Sequence, residues 1–431
     1  MNRTLRTTAW LRHATVAAAW TACAGIAQAQ PAAATAAPAV PEAPAIVLGL
    51  RQAFDAAWTR QPEAMALEAR RDAALAQQRA AEAWTPGPAA LEFSNKSDRL
   101  NRNQGVREIE VGVAVPLWLP GERSSSAALA DAESAAIESR ATAAQLRVAA
   151  TVREAWWQWQ RARIDADSAR DQLDNTRRIA ADVARRTKSG DLARADQHQA
   201  DGAVASAEAS MAQAEAGLAA ARLQLRALAG IEPAPSGAVD AIAEPDPGAA
   251  SAEVETHAAL RDLKDRAAVA ERAAALAAAQ SRANPELVLA TTRDQGAFGE
   301  TAQQTITLGV RIPFGDGPRH DTRSAKARAE AMETQAQLAL ERERVSTERE
   351  VARVRVESTR TQLAAAERRA RLARESRGFF EKSFRLGETD LPTRLRIEAE
   401  AAEAERQAAR TRIELAAAIS AWRQALGLLP Q

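Results

Sequence analysis

Between residues 108 and 117 hydrophobic positions recur at every second residue. Ile109, Val111, Val113, Val115 and Leu117 alternate with Glu108, Glu110, Gly112 and Ala114. A period of two with one apolar face predicts a half-buried strand. The alternation returns at Ile306, Leu308, Val310, Ile312 and Phe314, set against Thr305, Thr307, Gly309 and Arg311. A segment before each, "LEFSNKSD" (91–98) and "LVLATTRD" (287–294), alternates less regularly and is assigned as its partner strand. Elsewhere the period is helical. Helices are expected over about 50–83 and 257–283, closed by "TPGP" and "NPE". Much longer ones run from about Glu122 to Lys188 and from about Arg319 to Leu386, on the order of 100 Å at the α-helical rise. A shorter helix follows each. In the first, Val204, Met211, Leu218 and Leu225 form one seven-residue row, and Ala207, Ala214, Ala221 and Leu228 form another. In the second the rows are Ala401, Ala408, Leu415, Trp422 and Ala404, Thr411, Ala418, Ala425. Sustained heptads with small residues on one row predict close coiled-coil packing.

The duplication is systematic. An offset of 197 residues pairs Pro88 with Pro285, Gly112 with Gly309, Pro116 with Pro313, Gly190 with Gly387, Arg226 with Arg423 and Gly230 with Gly427. Upstream, Gln61 and Leu67 stand opposite His257 and Leu263 after a one-residue slip. The chain is therefore two copies of one unit, 46–230 and 257–428, joined by a Pro-, Gly- and acid-rich connector, 231–256. In each copy the long helix stops at a glycine, in "KSGDL" and "RLGETDL", and the shorter one returns. Glycine suits the left-handed residue that ends a helix. Asp191 and Asp390 are expected at the starts of the returning helices, with Pro392 in a first turn.

Composition narrows the function. Lysine and arginine number 57 against 56 acids, for a net charge of +1, so the balance does not point to nucleic acid. Four scattered histidines and one cysteine make no spaced metal or redox cluster. No Ser/His/Asp arrangement, phosphate-cradling loop or paired carboxylate site stands out, so neither an enzyme nor a cofactor is expected. Residues 1–29 read as a signal peptide: Arg3, Arg6 and Arg12 precede an acid-free, alanine-rich stretch ending in Ala27-Gln28-Ala29. Cys23 as a lipidated residue is the competing reading, and Trp20 three positions before it fits a lipobox poorly. An Ala/Pro linker fills 30–45. Past the leader no stretch approaches the roughly twenty apolar residues of a membrane-spanning helix. Four strands are too few to close a barrel, for which about eight is the practical minimum, so several chains must share one.

In this order, the two-fold repeat, "VAVPLWLPGER" and "VRIPFGDGPR", the two tips, and the repeat ends "LRALAG" and "WRQALG" resemble one family. It is the outer membrane factors of bacterial tripartite efflux pumps, the TolC-like outer membrane efflux proteins, and the resemblance covers about 46–428. It implies a mainly α fold with a small β part, and a homotrimer whose twelve strands close an outer membrane barrel above a periplasmic tunnel of twelve helices. It implies lipid around Ile109, Val111, Val113, Val115, Ile306, Leu308, Val310 and Ile312, with Pro116 and Pro313 at the membrane edge and Trp118 as an interfacial anchor. It implies docking of a periplasmic adaptor, attached to an inner membrane RND-type transporter, at Gly190, Asp191, Leu192, Gly387, Glu388 and Leu391.

Asp196 matches an aspartate that such proteins carry near the constriction, and the alternative is a solvated helix residue. Where the family often has further acids, this chain has Thr393 and Arg396, and an arginine ring repels cations unless Glu388, Asp390 or Glu398 pairs with it. Trp156, Trp157 and Trp159 are expected to pack between helices. "FRLGETDLPTRL" and the arginine-rich second half look like the branch that exports divalent heavy-metal cations, as in cobalt-zinc-cadmium exporters. The alternatives are a drug or type I protein secretion duct, or a soluble periplasmic coiled-coil adaptor.

Overall fold

The computed structural model describes residues 49–232, 243–247, 253–315 and 317–431. The expected leader, Cys23, the linker and most of the connector lie outside the described residues. The single helix expected over 50–83 is three pieces: α1 (Leu50–Thr59), α2 (Pro62–Met65) and α3 (Leu67–Glu82). Pro62 explains the first break, because a residue before proline is pushed out of the helical region, and Gln61 has φ −75° and ψ 138°. Next come β1 (Ala90–Ser97), β2 (Arg107–Pro116), α4 (Glu122–Ser189) and α5 (Arg194–Ala229). After a 3-10 turn at Val254–Thr256, the second repeat runs α6 (Ala258–Ala279), β3 (Glu286–Gln295), β4 (Gln303–Arg311), α7 (Gly317–Arg385) and α8 (Leu391–Ala425). Because β4 ends at Arg311, Ile312 follows the strand rather than belonging to it.

The four strands make one antiparallel sheet in chain order, so the β2–β3 seam joins the repeats. Its register sorts the side chains into two faces. Leu91, Val113, Leu289 and Leu308 lie in one row across all four strands, and Phe93, Val111, Thr291 and Ile306 in the next. The rows of the opposite face hold Glu92, Gly112, Ala290 and Thr307, then Ser94, Glu110, Thr292 and Thr305. Alternation along each strand thus builds one apolar and one polar or small-residue surface.

The helices form a layer in which α4 is central. It packs along α5, α6 and α8 and touches α1 and α3, whereas α7 packs along α8 and α6. The largest core cluster joins Leu50 and Phe54 of α1, Trp156, Trp157 and Trp159 of α4, Leu225 of α5 and Ile413 of α8. The tryptophans are packing residues, as expected: Trp156 and Trp159 are tilted at 59° with ring centroids 5.1 Å apart. The alanine rows close the helix seams, for Ala207, Ala221, Ala401, Ala404, Ala408 and Ala418 are buried. At the sheet end Glu122 is 2% exposed. Its carboxylate accepts from Leu119 N–H (3.0 Å), Asn284 Nδ2 (2.6 Å) and Gln280 Nε2 (2.9 Å), pinning the first turn of α4 to the end of α6 and the segment before β3.

Candidate functional site: the hairpin tips and the sheet faces

Each tip is a helix end that the sequence forces. Gly190 (φ +85°) and Gly387 (φ +78°) take the left-handed conformation. The N–H of the next residue returns to the helix, Asp191 to Arg186 O (2.9 Å) and Glu388 to Ser383 O (3.0 Å). The returning helices are capped differently. Asp390 is the N-cap of α8 and accepts from Thr393 N–H at 3.1 Å; the Thr393 side chain first, and this N–H second, hold its carboxyl below the usual aspartate range. In the first repeat the N-cap is Ala193, and Asp196 reaches back to accept from its N–H at 3.0 Å. Positions 193 and 390 correspond, as do 196 and 393, so each repeat keeps one half of a reciprocal capping box. Asp191 is therefore not at the helix start. It precedes Arg194 by three residues and accepts from Ser189 Oγ at 2.9 Å.

Between the tips lies a small core of Ile179, Val183, Ala200, Phe384 and Leu391, with Leu192 and Leu395 against it. Arg186 and Arg394 stand over the Phe384 ring at 5.1 and 4.7 Å. Asp182 balances both, at 3.3 Å from Arg186 and 4.0 Å from Arg394. Burial pushes the Arg394 guanidinium below its ordinary value, with Asp182 opposing. One turn or more above, Asn175 of α4 donates to Glu398 of α8, whose carboxylate is also 3.8 Å from Arg377 of α7.

Against this geometry the expected tip residues separate. Gly190, Asp191, Gly387 and Glu388 are exposed and Leu192 is half-buried, while Leu391 is 1% exposed and faces the tip core. Asp196 and Thr393 are half-buried and capping; Arg396 is exposed and pairs with Glu400 at 2.6 Å, not with Glu388, Asp390 or Glu398. Asp182, Arg186, Phe384 and Arg394 were not singled out from sequence. The available signal was a difference between repeats, since Phe384 stands where the first copy has Thr187 in a chain with 7 phenylalanines and no tyrosine.

On the sheet, the apolar face is solvent-facing in the single chain. Leu91 is 75% exposed, Phe93 68%, Ile306 77% and Leu308 71%; Ile109, Val111, Val113 and Val310 are exposed as well, and Val115 is half-buried. Trp118 is half-buried and donates its indole N–H to Ala83 O at 3.2 Å. Trp84 and Phe314, also at the strand–helix junctions, are the outward aromatics at 95% and 93% exposure. No described helix is long and apolar enough to cross a membrane, and no group of three or more metal-ligating side chains forms among the described residues.

The sequence profile of the family described as outer membrane efflux protein matches residues 53–231. No curated protein matches the chain. Among solved structures, the fold is similar to the outer membrane protein VceC of Vibrio cholerae, at 19% identity over 88% of this chain and 96% of that one, with a TM-score of 0.69. It is also similar to the CmeC outer membrane channel of Campylobacter jejuni (15% identity, 88% and 85% covered, TM-score 0.71) and to the MtrE outer membrane channel of Neisseria gonorrhoeae in its open state (17%, 88% and 89%, 0.69). The outer membrane efflux protein profile thus covers the first repeat, and the likeness to these channel structures, at 15–19% identity, shows the same fold carried through the second.

Proposed function

We propose that the protein is the outer membrane duct of a tripartite export system, a passive homotrimeric channel that receives cargo from an inner membrane RND-type transporter through a periplasmic adaptor. The observation that carries this is the sheet: four strands with two open edges, one face of exposed large apolar side chains and the other of polar and small ones. An open sheet edge cannot stand in lipid, because each unpaired N–H and C=O costs several kcal/mol there. Pooling strands around a common axis pairs the edges, turns the apolar face to lipid and leaves Glu92, Ser94, Glu110 and Thr292 lining the lumen. The helices then extend into the periplasm as a tunnel, and the mature chain is expected in the membrane fraction, extractable only with detergent, as a trimer by mass. Recovery in the soluble periplasm would favour a coiled-coil adaptor instead.

The exposed tip residues Gly190, Asp191, Gly387 and Glu388 are the docking surface on this reading, and the Asp182–Arg394 and Asn175–Glu398 links beneath them are the closure that the adaptor releases. Leu391, being core, supports the tip from inside. Asp196, Thr393 and Arg396 stand at the constriction, where Glu400 compensates Arg396 and weakens the objection to cationic cargo. Divalent heavy-metal cations are the cargo the sequence resemblance favours. A deletion strain tests it: zinc, cobalt, cadmium and nickel tolerance should fall, and unchanged tolerance in a strain with no redundant duct removes the metal assignment. For gating, Asp182→Asn is expected to raise single-channel conductance several-fold in planar bilayers without changing oligomer mass. A conductance equal to wild type would remove the closure role.

A further inference from the structure

Midway along α4, far from tips and sheet, three charged side chains are buried together. Arg153 of α4, Glu244 of the connector and Arg423 of α8 are each 3% exposed. Glu244 accepts from Arg153 Nε (2.9 Å) and Nη2 (2.7 Å) and from Arg423 Nε (3.2 Å). Arg153 Nη1 continues to Gln424 Oε1 (2.6 Å) and Leu428 O (3.0 Å), and Arg423 Nη1 donates to Pro245 O (3.1 Å). Asp246, two residues on, is bonded by Arg360 of α7. The short segment 243–247 therefore touches three long helices, one from the first hairpin and two from the second.

Charge counting shows what the segment does. Two buried guanidiniums share one carboxylate, and Arg423 Nη2 has no partner among the described residues. Withdrawing Glu244 would leave two like charges facing each other out of water, a costly arrangement that holds the segment in place. The cluster also occurs once per chain, as the connector does. The repeat equivalent of Arg423 is Arg226, which is exposed, and that of Arg153 is Glu350. The links nearer the tips are wetter: at 4.0 Å, Asp182 and Arg394 have side chains 29% and 12% exposed. From Arg153 to Gly190 the helix runs on the order of 55 Å.

We propose that residues 243–247 are a strap: through Glu244 the connector fixes the spacing of the two hairpins at mid-height, so they part from the tips upward and stop at this level. Its purpose rests on the duct reading; its existence does not. The test is hydrogen exchange on the full-length protein in detergent. Glu244→Gln should speed exchange in 146–160 and 416–428 on the order of a hundredfold while the strands keep their protection. Adding Arg423→Gln to that variant removes the surplus charge and should restore most of the protection, and this double variant is read even if Glu244→Gln alone fails to fold. Wild-type protection in Glu244→Gln, a rise spread evenly over strands and helices, or no recovery in the double variant would overturn the strap. Planar-bilayer conductance of the unmutated protein is recorded in parallel: absence of pores sinks the duct reading and leaves the exchange result standing.

Discussion

The two long helices are near twins in length, 68 residues in α4 and 69 in α7, yet they live in different surroundings. α4 has neighbours on both sides, and its buried set includes three tryptophans, Leu146, Leu173, Ile179 and Val183. α7 buries only Val345, Val356, Phe384 and a few small residues, and leaves Met332, Leu340, Val351, Val354, Leu372, Phe379 and Leu386 exposed. The contrast is sharpest where the repeats can be superposed by sequence. Asn175 and Asp182 of α4 reach α8 through polar bonds, and Ser189 follows one heptad on. Their counterparts on α7 are Leu372, Phe379 and Leu386, 57%, 68% and 75% exposed. The same helical row is a polar seam inside the chain and a bare apolar seam at its edge. A helix in the middle of the layer is completed by its own chain, and in the homotrimer proposed above one at the edge would be completed by the next copy.

The largest effect should come from spoiling that edge. Leu372→Glu together with Phe379→Glu replaces two exposed apolar side chains that a neighbouring copy would cover in the proposed trimer, at an expected cost of about 4 kcal/mol per interface. Light scattering in detergent should show single chains in place of trimers. A trimer that persists would mean that the bare seam is not an interface between copies.

A second comparison stays within one chain. Trp156→Ala empties part of the α4 core and should destabilise by about 3–5 kcal/mol, lowering the thermal midpoint by several degrees. The matching α7 position is Arg353, whose side chain is 52% exposed. Arg353→Ala should stay within about 0.5 kcal/mol of wild type. Similar losses at the two positions would show that α7 is buried in the assembly where the single chain leaves it open.

Much of this was legible because periodicity and duplication reinforce each other. The strands, the long helices and both tip glycines were found within a few residues, since Gly190 and Gly387 must adopt positive φ and Val111 and Ile306 sit in matched alternating runs. What stayed hidden was whatever depends on a partner distant in sequence. Leu391 looks like a tip residue open to docking, and only the approach of Ile179 and Val183 from the other hairpin makes it core. Trp118 reads as an interfacial residue, and only the fold shows that its N–H is bonded to Ala83 O at the end of α3. Glu244 lies in a segment whose prolines and glycines advertise an irregular loop, and nothing local marks it as the counter-charge of two buried arginines. The break at Pro62 has a local signal in the proline itself, but the helical period that resumes immediately beyond it masks that signal.

The smallest effect isolates one position where the repeats chose differently. His257, the N-cap of α6, is 8% exposed and stands where the first repeat has Gln61. Burial holds its imidazole below the ordinary value of 6.5, against the opposing influence of a hydrogen bond to the Gln424 backbone and of Glu341; Arg344 and Arg349 act with burial. Gly427, at φ +77°, lies against the ring, and a Cβ there would stand 2.9 Å from His257 Cδ2. A histidine whose folded value is depressed binds fewer protons folded than unfolded. Its contribution is present above about pH 6.5 and is lost as the pH falls through that value toward the folded one, at no more than about 1.4 kcal/mol per pH unit. His257→Gln should therefore flatten the stability curve between pH 7 and 5, roughly as the first repeat does with Gln61. Nearby Asp262, whose carboxyl burial raises, works in the opposite sense at lower pH and is common to both proteins. The difference between their denaturation midpoints across this window thus reports His257 alone, and parallel curves would mean that its burial is not coupled to folding.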